Sequence, residues 1–241
     1  VRETANILGV PIDIVTNESA FEKFKSLLRG EKCSVIVTPN SEIVMAASKD
    51  ERLKGILKES DLCIPDGIGL IYASKIHNLG LTERVTGVDF MYKILSYCND
   101  NDKSIYILGG KVGVAEKACK NIKNKFPNIK IKGFRDGYFK EAEERKIIEK
   151  INELKPDVLF VGLGAPKQEI WMNKYKEKLN VKVAMGIGGS IDIWAGTAKR
   201  APEIFQKLGL EWFYRLLKEP WRYKRMMALP KFMLKVIFRN K

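Results

Sequence analysis

Between residues 104 and 190 the sequence alternates short, unbroken apolar runs with longer amphipathic ones, and no other feature restricts the possible folds as sharply. Residues 104–108, 129–134, 157–161 and 181–185 read as strands. Residues 114–126 and 141–154 repeat apolar side chains at helical spacing, as do Ile170, Trp171 and Tyr175 after the third run. Strands regularly separated by helices build a parallel sheet covered on both faces. The first hundred residues continue the theme. Residues 6–15 alternate weakly around Gly9-Val10-Pro11 and predict a small hairpin or an edge strand. Thr16 or Asn17 caps a helix carrying Ala20, Phe21, Phe24, Leu27 and Leu28, which Gly30 stops. A strand at 33–37 runs into a helix opened by 38–44, and a short strand of Leu62, Cys63 and Ile64 precedes a helix with Ile68, Leu70, Ile71 and Ile76. The expected fold is α/β: a doubly wound, mostly parallel Rossmann-like sheet with a small N-terminal β element and a C-terminal helical appendage. The core is assigned to residues 1–198 and the appendage to 199–241.

The chain of 241 residues is 45% hydrophobic and 30% charged, enough for one substantial core and a small extension. Its four cysteines form no C-x-x-C pair and His77 is its one histidine, which argues for a reduced, cytoplasmic protein and against zinc or a histidine-based triad. A secretion signal is not expected, nor is a membrane span, for which about 18 consecutive apolar residues would be needed. Of the net charge of +14, nine units come from residues 199–241, where twelve Lys/Arg face three Glu.

In an open α/β sheet the ligand lies beyond the carboxyl ends of the strands, so residues at strand-to-helix turns are the candidates for function. Asp66, after the strand at 62–64, is either the cap of the following helix or a carboxylate aimed at a ligand. Thr38 and Asn40 stand at a second strand end, where Asn40 or Ser41 can cap the next helix; Ser41, close to Glu42, is the preferred cap. Arg84 lies in a polar loop and is either a solvated charge or a guanidinium that grips phosphate oxygens. Asp100-Asn-Asp102 matches a metal-binding D-x-D pattern but sits in a polar turn and is read as one. Three glycine-rich turns, 109–113, 162–169 and 186–190, allow backbone amides and helix N-termini to approach a phosphate, and the expected ligand is a nucleotide. None has the form G-x-G-x-x-G or G-x-x-x-x-G-K-[ST] of dinucleotide and P-loop sites.

After Glu203 the pattern becomes helical without strands. Phe205, Leu208, Trp212, Phe213, Leu216 and Leu217 make one apolar face flanked by Lys207, Arg215 and Lys218, and further aromatic, Met and basic residues follow Pro220 and Pro230. Such helices suit an anionic membrane surface, each basic side chain near it contributing about 1 kcal/mol. The alternative is that the apolar face packs on the core or on another subunit. The Met, Phe and Trp content and the lack of a nucleic-acid-binding signature argue against nucleic acid.

Thr38-Pro-Asn40, Ile64-Pro-Asp-Gly67, Arg84 with Thr86-Gly-Val-Asp89, Gly162-Leu-Gly-Ala-Pro-Lys-Gln-Glu169 and Gly186-Ile-Gly-Gly189, in that order, resemble the WecG/TagA family of bacterial glycosyltransferases. The resemblance runs from about residue 6 to the C-terminus. It implies transfer of N-acetylmannosamine from UDP-ManNAc to the 4-hydroxyl of GlcNAc on undecaprenyl diphosphate, with inversion, in wall teichoic acid linkage-unit synthesis. It further implies that Asp66 is the catalytic base, that Thr38, Asn40 and Gln168 orient the sugars, and that Arg84 neutralises the leaving diphosphate. Gly109, Gly110, Tyr138, Gly186, Gly188 and Asp192 become nucleotide contacts, and Arg215, Arg222 and Arg225 candidates for the lipid diphosphate. No metal or other cofactor is expected. The protein is expected at the inner face of the cell membrane as a peripheral protein, with homo-oligomerisation left open. The rival expectations are a relative using UDP-ManNAcA or another UDP-sugar, and a nucleotide-binding, membrane-associated module without transferase activity.

Overall fold

The computed structural model describes residues 2–218, 220, 223 and 227–238, with Lys207 and Arg215 described by their backbone alone. The chain opens with an antiparallel hairpin of β1 (Thr4–Ile7) and β2 (Val10–Asp13), followed by α1 (Asn17–Leu28), β3 (Ser34–Val37), α2 (Ser41–Ala47), α3 (Glu51–Lys58) and β4 (Leu62–Cys63). Two helices, α4 (Ile68–His77) and α5 (Gly87–Asp100), precede β5 (Ser104–Gly109), α6 (Val114–Lys125), β6 (Lys130–Arg135), α7 (Glu141–Leu154), β7 (Val158–Gly162), α8 (Lys167–Tyr175), β8 (Val183–Gly186) and α9 (Ser190–Trp194). The appendage contributes α10 (Glu203–Lys207), α11 (Glu211–Lys218) and α12 (Ala228–Ile237).

Strands β3 to β8 form a six-stranded, wholly parallel sheet in the order β4-β3-β8-β7-β5-β6. The central strands β5, β7 and β8 are buried along their whole length, which is why they read as continuous apolar runs, whereas the edge strand β6 alternates exposed and half-buried residues. One face of the sheet is covered by α2, α3, α7 and α8 and the other by α1, α5, α6 and α9. The opposite edge strand, β4, is covered by the hairpin. Buried Asp13 accepts from the Cys63 backbone amide at 2.6 Å and is itself held by Arg2 at 2.6 and 2.8 Å, which occupies an amide of the edge and fixes β4 in place.

Two local outcomes differ from expectation. Asn40, not Ser41, caps α2: its Oδ1 accepts from the amides of Glu42 and Ile43 at 3.0 and 3.1 Å, and Ser41 is already the first helical residue. The stretch beyond Asn40 also makes two helices. Asp50 turns extended after α2 and caps α3, accepting from the Leu53 amide at 3.1 Å.

The end of the appendage packs on the core. Phe232 and Val236 of α12 are buried against α2 and α4, and a side chain at Gly69 of α4 would meet Leu229 at 2.6 Å, so the glycine admits the helix. His77 Nε2 lies 2.9 Å from the Val236 carbonyl and Lys235 donates to Ser48 Oγ at 3.0 Å. Leu234, Ile237 and Phe238 nevertheless remain exposed, so α12 is apolar on both its docked and its outer side. Among the described residues no helix is long and apolar enough to cross a membrane. Truncating a fully buried Phe removes about 3–5 kcal/mol of packing. Phe232→Ala should therefore let the amides of 228–237 exchange with deuterium at nearly unprotected rates while the sheet stays protected; unchanged protection of α12 would show that its docking does not depend on this side chain.

Candidate active site

Neighbouring strands β3 and β8 send their following helices, α2 and α9, to opposite faces, and this opens a crevice at the carboxyl edge of the sheet. Thr38 bridges it, donating from Oγ1 to the Gly186 carbonyl at 3.2 Å. On the other side of β3, the chain leaves β4 through Pro65 and places Asp66 half-buried at the strand end. Asp66 does not cap the helix that follows it. The N-cap of α4 is Gly67, without a side-chain hydrogen bond, and Asp66 Oδ1 instead accepts from the Gly87 amide, at the start of α5, at 3.0 Å. The N-terminal end of α5 favours negative charge at that point. A methyl group at Gly87 would lie 3.5 Å from Thr38 Cγ2 and 3.6 Å from Asp66 Oδ2, and one at Gly67 would lie 3.0 Å from Asn40 Cβ. Thr38, Asn40, Asp66 and the first turn of α5 thus converge on one spot.

The same turn anchors a chain of ion pairs. Thr86 caps α5, accepting from the Asp89 amide at 3.2 Å and donating to Asp89 Oδ2 at 2.6 Å. Asp89 receives both terminal nitrogens of Arg200, at 2.5 and 2.6 Å. Burial acts to raise the Asp89 carboxyl, but the hydrogen bonds from Arg200 and Thr86 outweigh it and hold the group below the usual carboxylate range. Arg84 pairs with Glu211 of α11 at 2.8 Å, and Glu211 also lies 3.8 Å from Arg200 Nε. Asn40, Ser41, Glu42, Asp66, Gly67 and Arg84 from the core, with Gly209, Glu211, Trp212, Ala228 and Leu229 from the appendage, enclose a polar cleft of about 160 Å³. A larger groove of about 550 Å³ runs beside β6, lined by Cys119, Lys123 and Phe134, and includes none of the strand-end candidates.

Gln168 and the loop after β8 form the floor beside Thr38. Gln168 is buried, its Oε1 accepts from the Gly188 amide at 3.0 Å, and its Nε2 donates to Glu169 Oε1 at 2.9 Å. A side chain at Gly186 would meet that Nε2 at 2.7 Å, so the glycine is what lets Gln168 lie under the loop. Glu169 is fully buried with Oε2 lacking a hydrogen bond, and burial pushes its carboxyl up to about 7. Further along the edge, Gly109 ends β5 and Gly110 follows it, four strand spacings or about 19 Å from β4. A side chain at Gly109 would meet the Gly162 backbone at 2.4 Å, and the Gly110 amide donates to the Gly162 carbonyl at 3.0 Å. Close approach to the Gly162 backbone is thus sufficient reason for Gly109, and a φ of +73° with Val114 2.8 Å from an added methyl is sufficient reason for Gly110. Tyr138, in the loop after β6, is exposed, and Asp192, in the first turn of α9, takes the Thr197 amide on its carbonyl at 3.0 Å. Neither reaches the cleft around Asp66. Arg215 sits on α11, its side chain outside the described atoms, and Arg222 and Arg225 lie outside the described residues. Asp100 and Asp102 precede β5, at the opposite edge of the sheet, where Asp102 pairs with Lys130 at 2.5 Å. The residues that sequence reasoning did not single out are Asp89, Arg200, Glu211 and Glu169.

A wholly parallel sheet with a half-buried carboxylate and an arginine in one cleft beyond its strand ends defines a Rossmann-like α/β protein with its site at the carboxyl edge. The family model described as glycosyl transferase WecG/TagA/CpsF family matches residues 5–241, and the chain belongs to that family of glycosyltransferases. A Bacillus subtilis protein named N-acetylglucosaminyldiphosphoundecaprenol N-acetyl-beta-D-mannosaminyltransferase is 40% identical over 209 residues, covering 86% of this chain and 80% of its own. Relatives of the same name from Bacillus spizizenii and Staphylococcus aureus are 37% and 34% identical, the latter over 96% of this chain and 91% of its own.

The buried Glu169 gives a prediction with a definite sign. A carboxyl raised from 4.5 to about 7 by folding contributes stability that is present below its unfolded value and lost as pH climbs to about 7, on the order of 3 kcal/mol in all. Glu169→Gln should therefore gain stability relative to the parent between pH 4.5 and pH 8, read by urea unfolding; a pH-independent difference would contradict the burial of an ionisable group there.

Proposed function

We propose that this glycosyltransferase moves N-acetylmannosamine from UDP-ManNAc to the 4-hydroxyl of GlcNAc on undecaprenyl diphosphate, as a step in building the wall teichoic acid linkage unit. The observation that carries the proposal is Asp66, fixed by the Gly87 amide at 3.0 Å and facing a cleft shared with Asn40 and Arg84. In this reading Asp66 takes the proton of the acceptor hydroxyl as its oxygen attacks the anomeric carbon, the bond from that carbon to the diphosphate breaks, and the electron pair leaves on UDP. A diphosphate needs no protonation to leave, so one carboxylate suffices where a glycosidase needs two. Arg84 offsets the charge that develops on the leaving group, and no metal ion is invoked. Thr38, Asn40 and Gln168 shape the sugar-binding end, and the loops bearing Gly109, Gly110, Tyr138, Gly186, Gly188 and Asp192 are assigned to the nucleotide. The names of the three relatives support the acceptor and the transferred sugar. A neutral donor sugar is favoured over a uronic acid because the one cation lining the cleft among the described residues, Arg84, is assigned to the diphosphate.

The acceptor's diphosphate lies at a membrane surface, and the appendage suits work there. Nine of the fifteen exposed large apolar side chains among the described residues fall between Ile204 and Phe238, within the segment 199–241, whose net charge is +9. We assign the protein to the inner face of the membrane as a peripheral protein, with Arg215, Arg222 and Arg225 serving the lipid diphosphate.

Asp66→Asn preserves the acceptor for the Gly87 amide but removes the base. Turnover of UDP-ManNAc with a short-chain prenyl-diphosphate acceptor should fall ~100- to 10,000-fold while UDP affinity stays within about twofold; near-parental turnover would refute the assignment. Turnover of the parent enzyme should survive EDTA, and a loss restored by Mg²⁺ would contradict a metal-independent transfer.

A further inference from the structure

The geometry points to a second role for the ion-pair chain: Arg84 and Arg200 form one anion site, for which Glu211 and the diphosphate of a substrate compete. Only the identity of the ligand as a diphosphate rests on the proposed transfer reaction. Glu211 is one of three acidic residues in a segment with twelve basic ones, and a solvated position would be the ordinary outcome for it. Instead its side chain is 19% exposed and turned inward, 2.8 Å from Arg84 Nη2 and 3.8 Å from Arg200 Nε. Asp89 takes the two terminal nitrogens of Arg200 but leaves Nε buried and without a hydrogen bond, so one donor of this guanidinium is in reserve on the side of Glu211.

Charge and space both exclude a diphosphate while Glu211 stays where it is. Arg84 and Arg200 are paired with Glu211 and Asp89 in a part-buried site that salt screens weakly, and Asp66 adds a further carboxylate to the same cleft. A diphosphate reaching Arg84 would meet the Glu211 carboxylate at close range, and like charges juxtaposed in this way repel strongly. With Glu211 withdrawn, that repulsion is relieved and Arg84 presents a guanidinium fork matched to phosphate oxygens. The cleft beneath Glu211 and Trp212 is about 160 Å³, whereas sites for small molecules start near 300 Å³, so a nucleotide sugar also needs α11 to shift. The position of α11 and occupancy by diphosphate are then linked reciprocally: whatever draws α11 away strengthens diphosphate binding by the same factor.

The test is calorimetric titration of the full chain with UDP and, separately, with a short prenyl diphosphate, for the parent, Glu211→Gln, Arg84→Gln and the double variant. Glu211→Gln should tighten at least one of the two ligands about fivefold or more, and the gain should vanish when Arg84 is also replaced. Tightening of UDP assigns the site to the donor, and tightening of the prenyl diphosphate alone assigns it to the acceptor. If Arg84→Gln weakens only the prenyl diphosphate, the role proposed for Arg84 on the leaving group fails while the competition stands. If Arg84→Gln weakens UDP but Glu211→Gln tightens neither ligand, the competition is overturned and the Arg84 role survives. If Arg84→Gln weakens neither ligand, both are overturned. Deuterium exchange on the parent protein needs no variant: saturating ligand should raise exchange in 211–218, and unchanged or stronger protection there would overturn the inference.

Discussion

The first turn of α5 is the point on which the site depends. A helix N-terminus leaves several amides without partners inside the helix, and here they are taken by groups the site requires in fixed places. Thr86 caps the turn, the Gly87 amide holds Asp66 across the cleft, and Asp89 reaches out to Arg200. Because β4 is only two residues long, its own ladder cannot fix the carboxylate that follows it. Bonds from neighbouring segments do so: Asp13 on the Cys63 amide just before the turn, the Pro39 carbonyl on the Asp66 amide, the Val85 amide on the Pro65 carbonyl, and the Gly87 amide on the Asp66 carboxylate. The hairpin, the edge strand and α5 are therefore one mechanical unit whose output is the position of a single carboxylate.

The surrounding polar groups are largely committed to one another. Thr38 spends its hydroxyl proton on the Gly186 carbonyl, Asn40 spends its oxygen on the cap of α2, and Gln168 is held at both ends by Gly188 and Glu169. Such commitments cost nothing further when a ligand binds and keep the walls of the cleft rigid, which is the property a preorganised site needs. Arg84 is the exception. Among the described residues it is the cation that lines the cleft, and its partner belongs to the appendage, a part of the chain with much of its apolar surface exposed.

The sequence made the sheet legible because four of its strands are buried on both sides and appear as unbroken apolar runs, with helices of ordinary length between them. It also placed Thr38, Asn40 and Asp66 at neighbouring positions, since residues at consecutive strand ends share one edge of a parallel sheet, whereas Arg84, in a loop between two helices, was open between a solvated charge and a phosphate contact. What it could not resolve were choices between equivalent local chemistries. Asn40 and Ser41 are both good caps, and only the backbone decides that Asn40 is outside the helix. The two amphipathic faces of α12 look alike in sequence, yet one carries Phe232 into the core and the other leaves Phe238 in solvent. Glycines were ambiguous in a similar way: Gly109 and Gly110 suggested phosphate binding, while contact with the Gly162 backbone at Gly109, and a positive φ beside Val114 at Gly110, give each a sufficient structural reason. The ion-pair chain was invisible because Asp89, Arg200 and Glu211 are far apart in sequence, and pairing across such distances leaves no periodic signal.

In the proposed reaction the chemistry follows from Asp66, and the cleft around it accepts a sugar hydroxyl. The most direct measurement is a structure of the enzyme with UDP and a GlcNAc-bearing short-chain prenyl diphosphate. The 4-hydroxyl should lie within about 2.6–3.2 Å of a carboxylate oxygen of Asp66, on the face of the GlcNAc turned towards the donor site. A complex in which that hydroxyl is held by other groups, with Asp66 turned away from both sugars, would contradict the account.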